Sequence, residues 1–131
     1  MRRLPLFLLV GTVVSAFGGP AFGVRSLTAQ DVAVAIVVHP STDVENLTLN
    51  ELKSIFRGER QFWGDGRRVT LLVRAPVAEE RRLMLERIYD MDEDQFREYW
   101  IGKMFRAEVA AGPKLVYSAD MARDLVTLIP G

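Results

Sequence analysis

The chain has 131 residues, enough for one domain with a real core and too few for two. Hydrophobic residues make up 49% and charged residues 26%, a globular balance, and 17 basic against 17 acidic side chains leave no global field to draw nucleic acid or an anionic membrane surface. The absence of cysteine excludes disulfides and thiolate metal sites, and a single histidine, His39, argues against a histidine-based metal centre or catalytic dyad.

Arg2 and Arg3 precede the apolar run Leu4-Pro5-Leu6-Phe7-Leu8-Leu9-Val10, and small residues with Gly18, Gly19 and Pro20 follow. A basic start, an apolar run and a small-residue exit predict a secretory signal peptide over residues 1–29, cleaved after Ala29, with Ala16, Ala21 and Gly23 as rival sites. The competing reading is an uncleaved anchor, because the 21 residues between Arg3 and Arg25 carry no charge. Four glycines and two prolines among those residues weaken a spanning helix. Cleavage removes three arginines and no acid, leaving a domain of residues 30–131 with 14 basic and 17 acidic side chains, a net −3.

Val32 to Val38 is an unbroken run of small and β-branched residues, the pattern of a strand covered on both faces. It stops at His39-Pro40-Ser41-Thr42. Thr48 and Glu51 make a capping box for a helix whose Leu49, Leu52, Ile55 and Phe56 share one face, and Gly58 stops it. In the turn Phe62-Trp63-Gly64-Asp65-Gly66, Trp63 is expected to seal that helix against the sheet, with ligand stacking as the competing role. Val69 to Val73 reads as a buried strand ending at Arg74 and turning at Ala75-Pro76. A helix then begins near Val77 or Ala78 and carries an apolar face to Tyr89. A strand running into a helix N-terminus is a common anion site, because the first N–H groups lack partners and the dipole favours negative charge.

Asp92 and Gln95 form a second capping box, opening a helix whose Phe96, Tyr99, Trp100, Met104 and Phe105 read as a core stripe. Lys114 to Tyr117 is a short strand, and Ser118 caps a last helix with Met121, Leu125 and Leu128 placed to face inward. The order of elements predicts an α/β fold with a small, three-stranded parallel sheet.

The segments IVVHPSTDVENLTLNELKSIFRGE, FWGDGRRVTLLVR, EYWIGKMFRA and LVYSADMARDLVTLIPG, in that order, resemble the phosphate-type periplasmic solute-binding proteins of ABC transporters. The resemblance covers Ala33 to Gly131. It implies a three-layer αβα lobe of the periplasmic-binding-protein type, one lobe where family members have two that clamp an oxyanion between them. The family places an arginine, two residues, then a Gly-Ser-Gly-Thr phosphate loop at the strand-to-helix turn. Arg74 matches the arginine; Val77, Ala78, Glu79 and Glu80 stand where the loop would be, and Pro76 replaces an acidic residue. Two hydroxyl donors are therefore missing, and the glutamates themselves complement the helix start and repel a dianion. The candidate ligand-binding residues are Ser41, Thr42, Arg74, Ala78 and Ser118. For Arg74 the alternative is a solvated strand-end arginine, and for Arg81, Arg82 and Arg87 a charged helix surface.

The resemblance thus implies a secreted or periplasmic protein that binds phosphate or another oxyanion weakly, or assists a transporter. The alternative is a periplasmic protein-interaction module on the same fold that has lost its ligand. No catalytic role, metal or cofactor is expected: there is no nucleophile motif, metal-ligand cluster or Gly-rich nucleotide loop. A membrane enters only through the N-terminal segment if it is left uncleaved.

Overall fold

A computed structural model describes the backbone of Arg2–Leu4 and all of residues 33–131. Most of the segment read as a signal peptide, its cleavage sites included, lies outside the described residues, as does Val32. β1 (Arg2–Leu4) runs antiparallel to β2 (Ile36–Val38), with Arg3 opposite Val37.

α1 (Leu49–Phe56) begins as its sequence dictates. The Thr48 hydroxyl accepts from the Glu51 N–H, and the Glu51 carboxylate accepts from the Thr48 N–H at 2.8 Å. Leu52 and Ile55 are buried. Gly58 follows at φ 72°, and a Cβ there would lie 2.9 Å from the Trp100 ring, so this position needs glycine for both backbone and packing. The carbonyls left open at the end of α1 are taken by two tyrosines: the Tyr89 hydroxyl donates to the Phe56 carbonyl and the Tyr99 hydroxyl to that of Arg57 at 2.7 Å. Arg57 reciprocates, donating to the Tyr89 carbonyl at 2.7 Å.

β3 (Leu72–Arg74) pairs in parallel with β4 (Lys114–Val116), Val73 opposite Leu115. The paired segment begins later than the hydrophobic run at Val69, because β4 offers only three residues, and it takes in Arg74. α2 (Glu79–Met84) follows, and Leu85–Tyr89 continue it as a π-helical turn that ends at Asp90 in the left-handed region, φ 53°. The widened turn lets Leu85, Ile88 and Tyr89 all point inward. α3 (Glu93–Phe105) has the expected capping box between Asp92 and Gln95. α4 (Ala119–Leu128) has Ser118 as N-cap, its hydroxyl accepting from Met121 N–H at 3.0 Å.

The main core gathers Leu52, Val73, Met84, Leu85, Ile88, Tyr89, Phe96, Trp100 and Val109. Its aromatic rings meet edge to face, Tyr89 and Phe96 with centroids 4.8 Å apart. Val38, Ile55 and Trp63 form a second cluster, so Trp63 does seal α1 against β2.

Mixed helix and strand with a parallel pair agrees with the α/β expectation, but a three-stranded parallel sheet does not form among the described residues. β2 takes β1 as its ladder partner, and an apolar cavity separates it from β3. Two helical faces also differ from expectation. In α3, Phe96 and Trp100 are buried, but Met104 and Phe105 are exposed, since the groups packed on this helix (Tyr89, Gly58, Val109) meet its first two turns. In α4, Met121 and Leu128 are exposed, and Ala122, Val126 and Ile129 turn toward the cavity instead.

Candidate functional site

The strand-to-helix turn after β3 is built from residues 74–81. Val77 sits there with φ 69° and its side chain wholly exposed, a left-handed conformation that a β-branched residue adopts only under strain. Ala78 is the N-cap of α2 without a side-chain bond, and its N–H is turned back on the Ala75 carbonyl at 3.4 Å. Glu79 faces away from the turn, 2.5 Å from Arg82, whose guanidinium holds the Glu79 carboxyl below its ordinary range. Arg82 also reaches Glu86 at 2.8 Å, so its expected role as a charged surface residue holds.

Arg81 departs from the expected charged surface. It is buried at 5% exposure, and its guanidinium forks onto Glu93 at 2.6 and 2.7 Å. A third bond goes to the Arg74 carbonyl at 2.9 Å, and the cation lies 5.0 Å above the Phe96 ring. A buried cation needs compensating partners, and these from β3 and α3 engage each of its three nitrogens. The same fork holds Glu93 below the ordinary carboxylate range.

Arg74 is the opposite case. Its Nε and Nη1 are shut off from solvent and have no hydrogen-bond partner. Glu80 stands 3.7 Å from Nε, close enough to feel the charge and too far for a hydrogen bond. The reading of Arg74 as a solvated strand-end residue is thereby corrected: the chain end of β3 and the covering helices enclose most of its side chain.

Beside Arg74 lies a cavity of about 890 Å³. Every residue from Ala33 to His39 and every residue from Val69 to Arg74 borders it, so both strands present edges as well as faces. Leu52, Ile55, Met84, Ile88, Val126 and Trp63 complete apolar walls. The charged groups on the lining are Arg74, Arg87, Arg123 and Glu80. Arg123 is paired with Asp120; Arg87 has no hydrogen bond or ion pair among the described residues.

Of the five candidate ligand-binding residues, Arg74 and the fully buried Thr42 border this cavity. Ser41, Ala78 and Ser118 do not. The Ser41 hydroxyl is engaged by His39 Nδ1 at 2.7 Å and by Arg67 at 2.8 Å, and Ser118 is spent on its cap. Arg87, read in sequence as a charged helix surface, is exposed, and Arg123 was missed. The second was legible: Ala119, Ala122, Arg123 and Val126 share one face at helical spacing. Among the described residues no group of three or more metal-binding side chains occurs, and no helix is long and apolar enough to cross a membrane. No protein-family model, curated protein or solved structure matches the chain.

Proposed function

We propose that this chain is a secreted or periplasmic single-lobe relative of the phosphate-type solute-binding proteins, with a three-layer αβα lobe, that holds an oxyanion such as phosphate weakly through Arg74. The observation that carries the reading is the pair of buried, unpartnered guanidinium donors at the C-terminal end of β3. Enclosed donors without hydrogen bonds are costly even with Glu80 3.7 Å from Nε, and an anion that accepts from them removes that cost. The backbone of the turn adds support. Val77 keeps a left-handed φ at the place where the phosphate loop has its first glycine, the residue that adopts that conformation without strain. In this reading the turn retains the path of an anion loop and has lost its donors.

Each hydrogen bond to a charged group contributes about 1.5–3 kcal/mol, so the two absent hydroxyls remove roughly 3–6 kcal/mol. At about 1.4 kcal/mol per tenfold, a micromolar site falls to millimolar. Titration calorimetry with phosphate at neutral pH is expected to show no saturable heat at micromolar ligand, millimolar binding in the wild type, and none in Arg74→Gln. Restoring Gly-Ser-Gly-Thr over residues 77–80 tightens binding. Micromolar binding that persists in Arg74→Gln would sink the assignment of Arg74.

A second reading, a protein-interaction module that assists a transporter or another periplasmic protein, is favoured by one surface. Leu115 on β4, Tyr117 just after it and Leu128 on α4 are 42%, 71% and 74% exposed. Loss of partner capture by Tyr117→Ser with anion binding unchanged would separate this role from the first.

A further inference from the structure

The oxyanion reading uses one end of the cavity and leaves its apolar volume unexplained. A hydrated phosphate needs a small polar niche, whereas about 890 Å³ walled by Leu52, Ile55, Met84, Val126 and Trp63 lies within the range of sites that enclose whole organic ligands. Apolar walls of this extent, partly open to solvent, favour the burial of hydrocarbon against them. Of the three arginines on the lining, Arg123 is paired with Asp120, Arg74 has Glu80 3.7 Å away but two donors without hydrogen bonds, and the exposed Arg87 is unpaired among the described residues. A guest that satisfies both features has a hydrocarbon body and an anionic head.

We propose that the cavity binds a long-chain carboxylate, its tail between α1, α4 and the facing edges of β2 and β3, its head against Arg74. The inference rests on the reading of Arg74 as an anion-holding group and adds the class of anion it serves. Charge complementarity sets the orientation: the head lies at Arg74, and the walls formed by Leu52, Ile55, Met84 and Val126 take the tail. The carboxylate accepts a charge-assisted N–H bond from Arg74, where a neutral hydroxyl head accepts only a weaker one. Tail burial then supplies affinity in proportion to chain length. This also accounts for a weak response to phosphate, which uses the head contacts alone.

Trp63 provides the readout, because its indole borders the cavity and its Nε1 is buried without a partner, whereas Trp100 lies outside the lining. The full chain is titrated with octanoate, decanoate and dodecanoate below their micellar range, with 1-decanol as the neutral control and inorganic phosphate as the head alone, following tryptophan emission. The expected result is saturable binding that tightens by up to about fourfold per methylene. Arg74→Gln is expected to weaken decanoate at least tenfold and leave 1-decanol unchanged, and Trp63→Phe to remove the emission change. Ala122→Leu, which narrows the apolar end, weakens dodecanoate more than octanoate. If phosphate engages Arg74 and affinity does not rise with chain length, the long-chain ligand is overturned and the oxyanion reading stands. If decanoate and 1-decanol bind equally and Arg74→Gln changes neither, both are overturned. Circular dichroism of each variant confirms that a lost signal is lost binding.

Discussion

At the scale of single residues, Val77 and Arg81 carry the account in opposite directions. Val77 holds a left-handed φ of 69° with a fully exposed side chain, so nothing in packing compensates its strain. Left-handed backbone costs an L-residue about 1–2 kcal/mol, and glycine returns part of that as unfolded-state entropy. Val77→Gly is therefore expected to stabilise the fold by about 1 kcal/mol, seen as a raised midpoint in urea with unchanged slope; a lowered midpoint would show that the turn is not strained. Arg81 is locked in place. Glu93→Gln leaves its buried cation with a weaker acceptor and is expected to cost about 2 kcal/mol, toward the low end because Glu93 is half exposed. Glu79→Gln, in an exposed pair, is expected to leave the denaturation midpoint nearly unchanged. The folded pKa of Glu93 is depressed below its ordinary 4.5, chiefly by its hydrogen bonds from Arg81. Its contribution is then complete above pH 4.5 and lost as pH falls through the lower folded value. Stability measured against pH should drop in that acid window, and Glu93→Gln should flatten the drop.

At the scale of elements, α1 shows how ends are satisfied by distant parts of the chain. Its N-terminus is capped locally by Thr48 and Glu51, its C-terminus by hydroxyls 33 and 42 residues away in sequence. Tyr89→Phe removes a donor from a part-buried carbonyl and is expected to cost about 1–2 kcal/mol in chemical denaturation; a neutral result would mean water replaces the hydroxyl. The same contrast decides what the sequence could reveal. The helix starts at Thr48, Asp92 and Ser118 were legible because a cap is a contact within four residues. The pairing of β2 with β1, the burial of Arg81 against Glu93 and the tyrosine caps depend on long-range placement, which periodicity does not encode. α4 was misread for a subtler reason: Met121, Leu125 and Leu128 and the row Ala122, Val126 and Ile129 are both spaced as helical faces, and hydrophobicity favoured the more exposed one.

For the whole molecule, the central observation is a fold whose apolar interior is interrupted between β2 and β3, with an arginine at the edge of the gap whose Nε and Nη1 are enclosed without hydrogen bonds. Arg74 was picked out in sequence by the resemblance at the strand-to-helix turn; the cavity beside it was not, because a void depends on the packing of elements far apart in the chain. On the proposed reading, Arg74 is held open for an anion. That claim is tested most directly by the arginine Nε–H resonances of the full chain in a titration with inorganic phosphate. The Arg74 resonance is expected to move saturably at millimolar phosphate, while that of Arg81, already bonded to Glu93 at 2.6 Å, stays in place. An Arg74 resonance that does not respond, or that drifts in parallel with every exposed arginine, would contradict the claim.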